Sequence, residues 1–377
     1  MNIALLGTRG IPASYSGFET CVEQIGSRLA ERGHNVTVYC RSHHIKYEHP
    51  IYKGVKLVKL PTIPNKYLDT LIHTFVSTLH AITQDYDVLI YFIAGNSVVT
   101  WIPRIFGQKT ILNVDGLDWK RDKWPSLAKK YIRFSEYLAT RFPNISITDS
   151  MVVQRYYKDK YGYEAPYIPY GSEIDPLPPG EHLKKFGLEP RKYILFVGRL
   201  VPENCVHHLI EAFTQIKTDM KCVIVGDAPY AEEYKNHLRT LSTHDPRIVF
   251  TGYCFGEGYR ELGSNAYCFV ETSGVGGTHP ALLEAMALGN CVIANDTPEN
   301  RETIGYAGLT YDGRNGSTSL RSVLDRLIQQ PLLVDAYRRL AYQRAHSVYN
   351  WEAVTDAYES LCKQLIQSRN MANNLKG

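Results

Sequence analysis

The chain has 377 residues, 44% of them hydrophobic, and 42 Lys/Arg against 38 Asp/Glu for a net charge of +4. That is more chain than one core comfortably fills, and enough apolar material for two globular domains. So small a charge does not mark a nucleic-acid-binding protein, and the modest excess in residues 1–177, 21 Lys/Arg against 16 Asp/Glu, suits an anionic acceptor or membrane surface, or solubility alone.

The first strand-like run, Ile3–Leu6, has no basic stretch before it, and nowhere do about 18 apolar residues run uninterrupted. Neither a signal peptide nor a membrane span is expected. The eight cysteines show no paired short spacing, and several lie in apolar runs such as Lys221–Val225, so they read as reduced, buried thiols of a cytoplasmic protein.

Strand-like runs follow at Val36–Cys40, Val55–Leu60, Val88–Phe92, Thr110–Val114 and Ile145–Thr148, each separated by helical patterns. The second half repeats the rhythm with Tyr193–Val197, Cys222–Val225, Ile248–Thr251, Tyr267–Val270 and Val292–Ala294. The alternation predicts α/β architecture, two Rossmann-like parallel-sheet halves. Gly7-Thr8-Arg9-Gly10-Ile11-Pro12 after the first strand is echoed by Gly198-Arg199-Leu200-Val201-Pro202 in the second half.

After the first glycine loop, Ser16 and Glu19 have capping-box spacing ahead of Phe18, Val22, Ile25 and Leu29 at helical period. The Gly-x-Gly-x-x-Gly fingerprint is missing, so no dinucleotide cofactor is expected. His43-His44 reads as a surface loop with no carboxylates nearby. Asp85-Tyr86-Asp87 spells a metal-binding Asp-x-Asp, but it enters a strand, whereas a ligand site in a parallel sheet follows one; no metal is expected.

Leu112-Asn113-Val114-Asp115-Gly116-Leu117-Asp118 leaves a strand at its carboxyl end, which makes Asp115, with Asp118 second, a candidate ligand-binding carboxylate, or else a turn cap. Trp124, Leu127, Tyr131, Phe134 and Leu138 trace a helical stripe beside Lys129, Lys130 and Arg133. Most such stripes are domain core; the lesser reading is an interfacial face toward lipid headgroups. Proline and glycine density from Ile168 to Gly180 marks the hinge. The expected domains are 1–170, 171–350 and a terminal helical segment 351–377.

In Gly276-Gly277-Thr278-His279-Pro280, glycines precede a proline suited to a first helical turn, so backbone N–H groups are left to face an anion at the positive end of the helix. Glu284, one turn on, is placed to reach ribose hydroxyls. A nucleoside-diphosphate sugar suits this combination.

The stretch Gly276–Gly289, with its Glu-Ala-Met-Ala helix and the strand Cys291–Ala294, resembles the donor site of family-four glycosyltransferases of the GT-B fold. Gly-Thr-Arg-Gly-Ile-Pro leading to Tyr-Ser-Gly-Phe-Glu-Thr resembles the opening of bacterial rhamnosyltransferase-type members used in polysaccharide biosynthesis. The resemblance implies two domains facing a cleft, with an N-terminal acceptor domain, a C-terminal donor domain and a last helix that crosses back to the first.

Arg199 matches the arginine that holds the donor pyrophosphate in that family, though it could instead pair Glu203. Arg9 and Gly17 become candidate phosphate contacts, and Asp115 stands where many relatives carry a histidine. Two departures stand out: the lysine five positions after the arginine is Asn204, and the first of two donor-site glutamates is Gly276.

The implied activity is retaining, metal-independent transfer of a sugar, rhamnose by the branch, to a glycan or polyprenyl-linked acceptor. It would take place in the cytoplasm or peripherally at the inner membrane face. A nucleotide-sugar epimerase of the same fold and a non-catalytic sugar-nucleotide-binding protein are the alternatives.

Overall fold

The computed structural model describes residues 1–13, 17–65, 68–114, 116–120, 124–229 and 231–374. Contacts divide the chain into two compact units, Met1–Gly171 with Trp351–Gly377, and Ser172–Asn350.

The first unit contains β1 (Asn2–Leu6), α1 (Gly17–Glu31), β2 (Asn35–Arg41), β3 (Ile51–Tyr52), β4 (Val55–Leu60), α2 (Asp69–Ala81), β5 (Val88–Phe92), α3 (Ile102–Ile105), β6 (Lys109–Asn113), α4 (Ser126–Ala139), β7 (Ile145–Ile147) and α5 (Met151–Tyr161). The second contains α6 (Glu181–Lys185), β8 (Tyr193–Val197), α7 (Val206–Thr214), β9 (Lys221–Val225), α8 (Glu232–Ser242), β10 (Ile248–Gly252), α9 (Gly256–Asn265), β11 (Cys268–Glu271), α10 (Pro280–Ala287), β12 (Cys291–Asn295), α11 (Pro298–Ile304), β13 (Leu309–Tyr311), α12 (Gly316–Gln329) and α13 (Pro331–Val348). The last helix, α14 (Trp351–Asn374), belongs to the first unit.

The first sheet runs β3-β4-β2-β1-β5-β6-β7 and the second β10-β9-β8-β11-β12-β13. Every pairing is parallel except that of β3 with β4. Strands covered by helices on both faces must be apolar throughout, and β5, Val-Leu-Ile-Tyr-Phe, is buried at every position. The short strands β3 and β13 are additions to the sequence reading. Two and three residues are too few to show a period.

Helix ends follow local chemistry. Ser150 caps α5 by accepting the Val152 amide at 3.1 Å, and Gly162 closes that helix in the left-handed region at φ 64°. The chain re-enters the first unit at Trp351, whose ring lies so close to Gly171 that a Cβ there would come within 2.3 Å. Along α14, Glu352 bridges Arg28 and Arg32, each at 2.7 Å, and Glu359 meets His34 at 2.9 Å. Deeper in, the Asn113 amide donates to the Tyr358 hydroxyl at 2.9 Å. In a parallel sheet all loops that follow strands emerge at one edge, and the candidate residues among those described lie on such loops or on the helices they open in each unit.

Candidate functional site

In the second unit, β8 leads into Gly198-Arg199, a single 3-10 turn at Pro202–Asn204 and then α7. Gly226, after β9, sits at φ 131°, and a Cβ there would fall 1.9 Å from the Gly198 carbonyl oxygen, so two neighbouring loops approach backbone to backbone. The Arg199 side chain is exposed and has no hydrogen bond or ion pair among the described residues, Glu203 included. Asn204 does not replace the expected lysine as a cation. Its amide donates to the Arg199 carbonyl oxygen at 2.8 Å.

This loop is fastened to the one after β11. The Gly274 amide donates to the Glu203 carbonyl at 3.0 Å, and the Thr272 hydroxyl donates to the Asn204 carbonyl. Asn295, at the end of β12, donates to the Thr272 carbonyl at 3.1 Å and steadies the same junction. Gly276, Gly277 and Thr278 lie on this second loop, just before α10, with Gly277 buried and the other two half-buried. A side chain at position 276 would strike the His279 ring, its Cβ 2.6 Å away. Pro280 opens α10, and His279 before it makes no side-chain cap bond, although its carbonyl oxygen accepts the Leu282 and Leu283 amides at 3.1 and 3.2 Å.

Glu284 is half-buried on α10 and accepts a hydrogen bond from the Tyr259 hydroxyl. Burial raises its carboxyl above the ordinary range, and the Tyr259 bond opposes that rise. Tyr259, 25 residues away on α9, carries no sequence signal that would have joined it to the site.

In the first unit the loop after β1 is held by helix carboxylates. Glu19, buried on α1, accepts the Arg9 amide at 3.0 Å, and Glu23 accepts the Ala13 amide at 2.8 Å. Gly7 and Gly10 take φ of 98° and 106°, and a Cβ on Gly10 would lie 2.5 Å from the Cys40 sulfur. Gly17 is the first residue of α1 and half-buried. Ser16, the expected cap, lies outside the described residues, as does Asp115. Asp118 opens a 3-10 turn, Asp118–Lys120.

The reading of His43-His44 as a loop without carboxylates is corrected. Asp69, from the start of α2, lies 3.6 Å from His43 Nε2 and 3.5 Å from His44 Nε2. The separation in sequence hid this. Arg41 holds the same Asp69 oxygen at 2.7 Å, so that carboxylate is already compensated in a cationic setting, and burial together with the Arg9 charge lowers the His44 pKa. The Asp-x-Asp segment has a structural role: Asp87 accepts the Asn2 amide at 2.8 Å, and the Asp85 carbonyl accepts the Asn2 side chain at 2.8 Å. Both contacts lie at the edge opposite the candidate loops.

The aromatic stripe of α4 is also corrected. Ser135, Glu136, Leu138 and Ala139 form its buried side, while Leu127, Tyr131 and Phe134 are exposed. Of the five stripe residues, Leu127, Tyr131 and Phe134 face outward, Trp124 is half-buried and Leu138 packs inward, so the stripe as a whole is not a core face.

Residues 191–330 match the family model described as "Glycosyl transferases group 1", and residues 1–173 match "Domain of unknown function (DUF1972)". Among curated proteins, the chain is 26% identical over 205 residues to alpha-maltose-1-phosphate synthase of Mycobacterium tuberculosis, covering 50% of this chain and 53% of that protein. It is 25% identical over 194 residues to O-antigen chain mannosyltransferase B of Escherichia coli, covering 49% of this chain and 50% of that one. The chain thus spans about half the length of the curated relatives it matches.

Among solved structures, sucrose-phosphate synthase from Thermosynechococcus elongatus aligns with TM-score 0.83 at 19% identity, over 97% of this chain and 99% of that one. Anabaena Alr3699/HepE in complex with UDP-glucose aligns with TM-score 0.78 at 19% identity, over 96% and 100%. These likenesses show the fold, two Rossmann-like parallel-sheet domains of the GT-B kind. The family-model match and the glycosyltransferase relatives support the glycosyltransferase group 1 family.

Proposed function

We propose that the chain is a retaining glycosyltransferase that moves a sugar from a nucleoside diphosphate to a glycan or lipid-linked acceptor without a metal ion. Rhamnose is the sugar favoured by the resemblance of the opening loop and the Gly276–Gly289 segment. The observation that carries the reading is in the second unit: an exposed Arg199, its side chain unpaired among the described residues, stands on a loop bonded directly to the glycine-rich turn before α10.

Departure of a nucleoside diphosphate loads charge onto its phosphates. A guanidinium and backbone amides held in place stabilise that charge as it grows, with little reorganisation. Within the second unit, Arg199 and the amides of Gly276, Gly277 and Thr278 would take the pyrophosphate and Glu284 the ribose; in the first unit, Arg9 and Gly17 are candidate phosphate contacts by resemblance alone. Asp115 would meet a sugar hydroxyl. The leaving diphosphate itself can accept the acceptor's proton, so no protein nucleophile is required. HepE, whose complex with UDP-glucose shares the fold, and the O-antigen mannosyltransferase, a relative by sequence, support a nucleotide-sugar donor and a glycan acceptor.

Incubation with labelled UDP-, GDP-, dTDP- and ADP-sugars and a lipid-linked saccharide, in excess EDTA, tests the proposal. Transfer to the acceptor is expected at an undiminished rate. Product formed without acceptor would point to an epimerase, and neither transfer nor hydrolysis from any donor would overturn the assignment.

A further inference from the structure

At about 100° per residue, the exposed residues of α4 and its exit fall within one arc of about 160°. Leu127, Tyr131, Phe134 and Tyr137 lie in it at 80%, 37%, 55% and 47% exposure, interleaved with exposed Lys130, Arg133 and Arg141. No carboxylate shares the arc. The helix's one acid, Glu136, is buried on the opposite side, where it accepts hydrogen bonds from Tyr156 and Tyr161 at 2.8 and 2.9 Å.

The face continues onto α3. Arg104 donates to the Arg141 carbonyl at 3.3 Å, which brings the end of α3 beside the end of α4, and there Ile105 and Phe106 stand 70% and 59% exposed.

Single exposed apolar residues are ordinary, but a contiguous apolar and basic face without acids is a recognition surface. We propose that the α3–α4 face docks on a bilayer bearing anionic headgroups. Leu127, Phe134, Ile105 and Phe106 would enter the acyl boundary, with Lys130 and Arg141 at the phosphate level. The charge pattern selects this occupant. A second copy packed on the same face would set arginine and lysine against arginine and lysine, whereas an anionic bilayer offers apolar depth beneath negative charge. Among the described residues no helix is long and apolar enough to cross a membrane, so the contact proposed is peripheral. It stands independently of the transfer reaction.

Co-sedimentation of the full chain with phosphatidylcholine vesicles, with and without about one-third phosphatidylglycerol, tests it. Binding is expected only to the anionic vesicles and is expected to fall as salt rises. Each basic residue near a charged bilayer is worth about five-fold in binding, so Lys130→Glu with Arg141→Glu should lower it by at least about twenty-five-fold. Leu127→Asp with Phe134→Asp, which keeps every basic residue, should lower it at least about ten-fold. These side chains are exposed, so the melting temperature and any nucleotide-induced shift should hold in all variants. Parent-like binding by either double variant, indifference of the parent to anionic lipid, or a dimer that the apolar variant converts to monomer would each overturn the proposal.

Discussion

The Asn204 side-chain amide donates to the backbone carbonyl of Arg199 at 2.8 Å, while Asn204's own carbonyl accepts from the Thr272 hydroxyl. A residue standing where the family carries a cation thus ties together the loops after β8 and β11. Asn204→Ala should leave Arg199 on a looser loop and weaken nucleoside diphosphate binding by several-fold. The melting temperature should fall little, since a solvent-exposed hydrogen bond contributes about 1 kcal/mol. Asn204→Asp, which cannot donate, should behave like the alanine. Calorimetric titration with UDP and GDP measures both, and affinities equal to the parent's would leave the bond without a role in the site.

Removal of the guanidinium itself should be more severe. A ligand at one hundred times its dissociation constant adds about 2.7 kcal/mol of stability. In a thermal-shift screen of nucleoside diphosphates, Arg199→Ala should abolish most of the shift and Glu284→Ala should diminish it. Tyr259→Phe should fall between the parent and Glu284→Ala, because the hydroxyl orients that carboxylate but would not touch ribose. Undiminished shifts in Arg199→Ala and Glu284→Ala together would place the nucleotide elsewhere.

The sheets were legible because strands buried on both faces must be apolar runs, as in Val88–Phe92. The two candidate loops were legible because Gly198-Arg199 and Gly276-Gly277 follow strands directly. What stayed hidden was whatever depends on distance in sequence or on which side faces inward. Asp69 reaches His43 and His44 only through the β2–α2 corner, and Tyr259 reaches Glu284 from another helix. Periodicity found the α4 stripe, but both its apolar and its buried side repeat at the helical period. Only packing decides which of them meets the core.

Gly226 has no room for any side chain. Its φ of 131° suits glycine alone, and a Cβ would sit 1.9 Å from the Gly198 carbonyl oxygen, backbone that cannot swing aside as a side chain would. Gly226→Ala should cost on the order of 2–4 kcal/mol in urea unfolding and, by pushing Gly198 away, should take the nucleotide shift with it. Gly33, at φ 84° with open space around it, is the control: Gly33→Ala carries the backbone strain without the collision and should leave nucleotide binding intact. Equal losses in the two variants would show that strain alone, and not the close approach of the loops, is responsible.

His73 is fully buried on α2, and burial pulls its pKa from 6.5 down to about 4, with the Arg41 charge adding to the effect and Asp69 opposing it. The unfolded chain therefore binds a proton at a pH where the folded chain does not. The associated stability is complete above about pH 6.5, is lost as pH falls toward 4, and amounts to at most about 3 kcal/mol. His73→Leu removes the titration and should flatten this part of the pH profile, whatever it does to stability at pH 7. Urea unfolding of both proteins across that window measures the difference. If the parent and the variant lose stability in parallel, His73 is already protonated when folded, and the acid sensitivity belongs to other groups.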